Sequence, residues 1–239
     1  MTRVLIVEDE LQILRGLRTN LSARGYEVDA APDGETALDL AARHRPDVVI
    51  LDLGLPGIDG LDVIRGLRAW TAVPIIVLSA RAQEPEKIAA LDAGADDYVT
   101  KPFGMGELLA RLRAAERRAT PASLGDRAVV RTPAFAIDLA AGKVTDTAGD
   151  PIHLTPTEWH LIEILVRHTG KLVSQRHLLQ EVWGPRYGDE TNYLRVYMAQ
   201  IRRKLEPEPA HPRYFITEAG MGYRFEVGEG SARPDDRFA

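Results

Sequence analysis

Five side chains in the first hundred residues have the types and positions to do phosphate or metal chemistry. Glu8 and Asp9 follow the apolar run Val4–Val7, Asp52 follows Val48–Leu51, Ser79 follows Ile75–Leu78, and Lys101 follows Tyr98–Val99. Three carboxylates gathered in one crevice repel one another and raise each other's pKa unless a cation neutralises them. Oxygen-only ligands with room for water suit Mg²⁺, which takes one or two carboxylates together with phosphate oxygens. Lys101 adds a fixed positive charge and Ser79 a hydroxyl. Each residue alone is as readily a helix cap or a turn former. Their shared position after four strand-like runs is what points to chemistry. A second constellation lies at Thr191–Leu205, which carries Arg195, Arg202, Arg203 and Lys204 with no acid. On a chain of net charge −5 that is a local basic stripe, suited to a polyanion such as nucleic acid; a solvated helix face is the alternative.

The elements that must position these residues alternate in the first half. Short, β-branched-rich runs read as buried strands. Val4–Val7 precedes a helix with Leu11, Leu14, Leu17 and Leu21 on one face, stopped by Gly25. Strand Tyr26–Ala31 precedes helix Gly34–Arg43, Val48–Leu51 precedes Leu61–Ala69, Ile75–Leu78 precedes Pro85–Ala93, and Tyr98–Val99 precedes Met105–Arg118. Five strand–helix units with nearly all-apolar strands predict a parallel sheet covered on both faces. Right-handed crossovers make it a flavodoxin-like (βα)5 fold of strand order 2-1-3-4-5, with its crevice where strands 1 and 3 meet. At 239 residues there is room for a second domain. The absence of cysteine excludes disulfides and thiolate-bound zinc. With no long apolar run and an N-terminus that turns acidic within eight residues, neither a membrane span nor a secretory signal is expected, and the chain is expected to be cytoplasmic.

The segments Val4–Glu10 (VLIVEDE), Asp47–Gly57 (DVVILDLGLPG), Val77–Ala80 (VLSA), Gly94–Tyr98 (GADDY) and Lys101–Phe103 (KPF) resemble the receiver domains of bacterial two-component systems. The resemblance implies that Asp52 is the phosphoacceptor. Asp9 would bind Mg²⁺ directly, Glu8 through water, and the Gly54 carbonyl would be a further ligand. Ser79 would be the switch hydroxyl, Tyr98 the switch aromatic, Lys101 the phosphate-pairing ammonium, and Lys101-Pro102 a cis peptide. Lys87, Asp96, Asp97, Glu107, Arg111 and Arg118 stand where the related subfamily forms intermolecular pairs across a receiver dimer. Haloacid-dehalogenase-like phosphatases also use an aspartate nucleophile, but they want a second aspartate where Gly54 stands. No Gly-rich phosphate loop follows strand 1.

After a linker at 119–127 (ATPASLGDR), strand-like pieces Ala128–Thr132, Phe135–Leu139, Lys143–Thr145 and Ile152–Leu154 predict a small antiparallel sheet. Thr155-Pro-Thr-Glu158 reads as a capping box opening a helix with Trp159, Ile162, Leu165 and Val166 on its apolar face. A second helix opens at Ser174, a third spans Thr191–Leu205, and Tyr214–Thr217 with Tyr223–Val227 make a terminal hairpin. That is the layout of a winged helix-turn-helix over 128–227, followed by a polar tail at 228–239. Leu154–Glu158 (LTPTE), Gly170–Val173 (GKLV), Val182–Gly184 (VWG), Ile201–Leu205 (IRRKL) and Gly220–Phe225 (GMGYRF) resemble the effector domain of the OmpR/PhoB subfamily. The resemblance implies double-stranded DNA as partner. Asn192, Arg195, Tyr197, Gln200 and Arg202 become base or backbone contacts, Arg203 lies nearer phosphate, and Thr217 and Tyr223 are wing contacts. Ala199 and Ala219 depart from the pattern, where relatives carry basic residues, which weakens the case for an arginine in the minor groove. Runs such as Leu51–Pro56 and Trp183-Gly-Pro185 resemble the regulators of Kdp potassium-transport operons. The expectation is therefore a DNA-binding regulator, not an enzyme acting on an external substrate. A sensor histidine kinase would phosphorylate it, and it would dimerise when phosphorylated, with RNA polymerase as a further partner.

Overall fold

In the computed structural model, residues 1–81, 83–119, 129–185, 187–188 and 190–228 are described. The chain divides into two compact units, Met1–Thr120 and Pro121–Ala239. The expected linker from 120 onward, the tail beyond 228 and the side chain of Arg118 lie outside the described residues.

The first unit alternates β1 (Arg3–Val7), α1 (Leu11–Ser22), β2 (Glu27–Ala31), α2 (Gly34–His44), β3 (Val48–Asp52), α3 (Gly60–Arg68), β4 (Ile75–Ser79), α4 (Glu84–Ala93), β5 (Asp97–Thr100) and α5 (Met105–Ala119). Its five parallel strands run in the order β2-β1-β3-β4-β5, the order expected. β3 and β4 are each one residue longer than their apolar runs, because Asp52 and Ser79 still pair in the ladder, while β2 begins one residue later than expected, at Glu27. Val4, Ile6, Val48, Ile50, Ile76 and Leu78 pack with Leu17 and Leu21 of α1 and Leu108 and Leu112 of α5. Burying each such side chain contributes roughly 1.5–3 kcal/mol. At the C-terminal edge of this sheet Gly60 starts α3 directly against the strand. A Cβ there would meet Leu53 Cα at 2.6 Å and the Asp52 carbonyl oxygen at 2.8 Å, so the close approach behind Asp52 requires glycine.

The second unit holds β6 (Val129–Arg131), β7 (Phe135–Asp138), β8 (Lys143–Asp146), α6 (Pro156–Arg167), β9 (Val173–Ser174), α7 (Gln175–Trp183), α8 (Thr191–Leu205), β10 (Phe215–Glu218) and β11 (Gly222–Phe225). The first sheet has three antiparallel strands, not the expected four. Ile152–Leu154 forms no strand. Pro151 makes only an isolated bridge to Thr145, Ile152 donates to the Val144 carbonyl, and Thr155 caps α6 three residues later. A proline cannot donate to a ladder, and too few residues remain to extend one. Conversely β9 is a strand that periodicity could not register, since it is two residues long. It joins β11, with Gly222 against Val173 and Ser174 so closely that any Cβ would strike backbone. The capping box at α6 forms as read: Thr155 Oγ1 accepts from Glu158 N, and Thr155 N donates to Glu158 Oε2 at 2.7 Å.

Candidate functional site

Parallel pairing of β1, β3 and β4, and of β4 with β5, brings the ends of four strands to one edge. There Lys101 Nζ donates to Asp52 Oδ2 at 2.6 Å and to Glu8 Oε2 at 2.7 Å. Asp52 Oδ1 accepts the Gly54 N–H at 3.1 Å, and Glu8 Oε1 accepts from Glu10 N. Glu8 and Asp52 are buried while Asp9 is exposed, and carboxylate oxygens of the three lie within 4.8 Å of one another. Burial pushes the Glu8 carboxyl above its ordinary range, and the Lys101 ammonium offsets this only in part. Burial also works against charge on Lys101, but its hydrogen bonds and charge pairing with Asp52 and Glu8 prevail and raise its pKa. An oxygen-only set with one exposed carboxylate fits a hard divalent cation, and such an acidic cluster is typical of the Mg²⁺ site of receiver domains. The Lys101-Pro102 peptide is cis.

Ser79 is buried at the end of β4, its Oγ accepting the Arg81 N–H at 3.1 Å. Tyr98 is buried with its hydroxyl donating to the Arg81 carbonyl at 2.6 Å, and Lys87 Nζ lies 5.8 Å from its ring centroid. The ring thus occupies an inward position. Two charges expected to face outward do not. Asp96 is 0% exposed, because it accepts from Arg68 at 2.7 Å and from the Ile75 N–H at 2.9 Å at the floor of the sheet. Asp97 is also buried, bonded to Arg111 at 2.9 Å, and Arg111 bonds Glu107 one turn back at 2.7 Å. These pairs form within one chain.

The basic helix α8 departs further from expectation. Tyr197 is 1% exposed, its ring 5.4 Å from that of Trp183 in a cluster with Tyr187 and Tyr193. Gln200 is 6% exposed and Tyr223 3%. All three were expected at DNA but are buried: Tyr197 and Gln200 lie on the stripe that a packed helix turns to the core, and Tyr223 lies on β11. Arg202 is corrected too: its guanidinium donates to the Phe215 carbonyl (Nε, 2.9 Å) and to Thr217 Oγ1 (2.6 Å). Lys204 pairs with the buried Glu158 carboxylate at 2.6 Å. Arg195, Ala199 and Arg203 are exposed along one stripe with half-buried Asn192, Arg195 lying 3.3 Å from Asn192 Oδ1, and Lys204 stays exposed beside its pair with Glu158. Beside it a cleft of about 300 Å³ is bounded by Arg195, Arg202, Thr217, Ala219 and Tyr223. Thr217 is exposed on the wing, and Met221 at its tip is half exposed, a surface residue that sequence reading passed over.

Among the described residues no helix is long and apolar enough to cross a membrane. Residues 4–113 match the family model of the response regulator receiver domain, and 149–225 match that of the transcriptional regulatory protein, C terminal. The chain is 60% identical over 95% of its length, and over 100% of the relative's, to the transcriptional regulatory protein KdpE of Mycobacterium tuberculosis (strain ATCC 25618 / H37Rv). It is 53% identical to the KDP operon transcriptional regulatory protein KdpE of Escherichia coli (strain K12), covering 94% of this chain and 99% of that one. Among solved structures, a RitR mutant superposes with a TM-score of 0.77 at 25% identity, covering 95% of this chain and 100% of that one. The response regulator DrrB of Thermotoga maritima, an OmpR/PhoB homolog, gives a TM-score of 0.50 at 30% identity over 95% of this chain and 99% of that one. With an acidic cluster at the mouth of one unit, a helix-turn-helix with a wing on the other, and relatives alike over nearly their whole length, the chain belongs to the OmpR/PhoB-type response regulators, the transcriptional regulators of two-component systems.

Proposed function

We propose that this regulator is switched by phosphorylation of Asp52 and, like the relatives named for the Kdp system, controls a potassium-transport operon from the cytoplasm. The observation that carries the switch is the Lys101 ammonium bridging Asp52 and Glu8 at 2.6 and 2.7 Å. It marks Asp52 as the carboxylate facing a fixed cation at the mouth of the sheet. In the proposed transfer an Asp52 oxygen attacks phosphorus as the P–N bond to the kinase histidine breaks, leaving an acyl phosphate on Asp52 and a free histidine. Mg²⁺ held by Asp9, Asp52, the Gly54 carbonyl and, through water, Glu8 would offset charge on the phosphoryl oxygens. Lys101 would turn from Glu8 toward those oxygens, Ser79 would donate its hydroxyl to one of them, and Tyr98 would hold its inward position.

Phosphorylation would favour a receiver dimer through the α4–β5–α5 face, where Lys87 and the Glu107–Arg111–Asp97 chain of charges lie, and two effector domains would then bind repeated DNA sites with avidity. The Arg118 position is retained in that reading and Asp96 is removed from it. At DNA, Asn192, Arg195 and Arg203 would face the major groove and its phosphates, and Thr217 the wing-side backbone.

The test incubates wild type and Asp52→Asn with Mg²⁺ and a small-molecule phosphodonor, reading intact mass and binding to a two-site duplex together. One added phosphoryl group and tighter binding in wild type alone are expected. Equal modification of the variant would remove Asp52 from this role.

A further inference from the structure

The geometry points to Arg202 and Glu206 as a clamp that fixes the wing against the recognition helix, so that both present to DNA as one rigid surface. Arg202 is a positioning residue and not a DNA contact. The inference rests on the DNA-binding reading of α8.

β10 is an edge strand in the order β10-β11-β9. Its ladder bonds to β11 fall on alternate residues: the Tyr214 carbonyl takes the Glu226 N–H at 2.8 Å, so Phe215 and Thr217 direct their N–H and C=O groups outward. An edge left open in this way is a hazard that folded proteins cover. Here the last turn of α8 and its C-cap residue, Glu206, cover it from both sides of one residue. Glu206 accepts from the N–H groups of Arg213 (2.8 Å), Tyr214 (2.9 Å) and Phe215 (2.7 Å). Arg202 takes the carbonyl of the same Phe215 and reaches on to Thr217 Oγ1. Both outward backbone groups of Phe215 are therefore held by side chains four residues apart, Arg202 on the last turn of α8 and Glu206 at its extended C-cap.

The arrangement has a consequence for Thr217. Because its hydroxyl oxygen accepts from Arg202, its own proton must point to another acceptor, and the side chain is exposed on the wing. The clamp thus orients a donor at the wing surface. The planar fork of arginine is what allows one side chain to reach a carbonyl and a hydroxyl together; a lysine ammonium keeps the charge but not that geometry.

Full-length Arg202→Lys, Arg202→Gln and Glu206→Gln would be compared with wild type for duplex affinity against salt and for amide exchange along 213–217. If the clamp positions the wing, Arg202→Lys binds about tenfold more weakly despite unchanged charge, since it loses charge-assisted bonds of that size. Glu206→Gln also binds more weakly, although deleting a negative charge should by itself strengthen attraction to DNA. In both variants the Phe215 amide exchanges faster, and the slope of log affinity on log salt stays that of wild type. In wild type the Phe215 amide exchanges more slowly than that of Thr217. The inference is overturned if Arg202→Lys matches wild type in affinity and exchange. It is equally overturned if Arg202→Gln lowers the salt slope by about 0.9 with exchange unaltered, the signature of a lost phosphate contact. A wild type that binds no duplex would sink the DNA reading, while the exchange data would still decide whether the clamp exists.

Discussion

At the mouth of the receiver sheet, charges far apart in sequence converge; along the recognition helix, charges adjacent in sequence diverge. Asp52 ends β3, Glu8 and Lys101 directly follow β1 and β5, and the three meet within 2.7 Å contacts, because a parallel sheet delivers every strand's C-terminal end to one edge. Arg202, Arg203 and Lys204 are consecutive, yet successive helical residues point about 100° apart. Arg202 goes to the wing strand and Lys204 to the cap of α6, while Arg203 lies on the exposed face. A charge cluster in sequence is not a charge cluster in space. Sheet topology gathers what the sequence scatters, and helical rotation scatters what the sequence gathers.

The most severe way to break this contrast is to remove the gathering cation. Lys101→Met should destabilise the receiver by about 3 kcal/mol in metal-free buffer, because two buried carboxylates lose their partner. Millimolar Mg²⁺ should restore part of that loss by binding only the folded acidic cluster, read as a shift in urea midpoint. No destabilisation, or no response to Mg²⁺, would mean the cluster is not held by charge balance. Next in size, Lys204→Ala should lower stability by about 1.5 kcal/mol, since buried Glu158 loses a charge-assisted bond, while leaving the salt slope of DNA binding unchanged. Its exposed neighbour provides the contrast: Arg203→Ala should reduce the salt slope by about 0.9. If the two variants behave alike, the division of the basic run between fold and DNA is wrong. Thr155→Ala should cost about 1 kcal/mol through the lost cap of α6, seen in thermal melts.

The smallest effect concerns an exposed acid. The Thr36 N–H bonded to Asp33 at the start of α2 holds that carboxyl below its usual range. A carboxyl whose pKa is depressed by folding stabilises the fold above its unfolded value, and that contribution fades as pH falls through the lower, folded value. Asp33→Ala should therefore narrow the stability gap from wild type only under acid conditions below about pH 4. A gap independent of pH would assign the residue a role other than capping.

The (βα)5 order was legible because each strand announces itself as an apolar run and only a few right-handed topologies connect five of them. The mouth residues were legible for the same reason: a residue that ends a parallel strand has its edge decided once the strand is identified. The strand expected at Ile152–Leu154 and the unread strand at Val173–Ser174 mark the opposite case. Short antiparallel pieces carry almost no periodicity, and whether they pair depends on a partner distant in sequence. The buried Asp96, which accepts from Arg68 twenty-eight residues away, was read as a surface charge for lack of any local sign of its partner.

By itself the sequence determined two kinds of property: those set by local pattern, such as the strands, the capping box of Thr155 and Glu158 and the basic character of α8, and those set by the ends of parallel strands. Only the tertiary structure decided which face of α8 is buried, that Glu158 serves both its own helix cap and Lys204, and that Arg202 and Glu206 hold the edge of the wing. The physical reason is that a buried hydrogen bond is chosen by the geometry of both partners, and a chain read one residue at a time names only one of them.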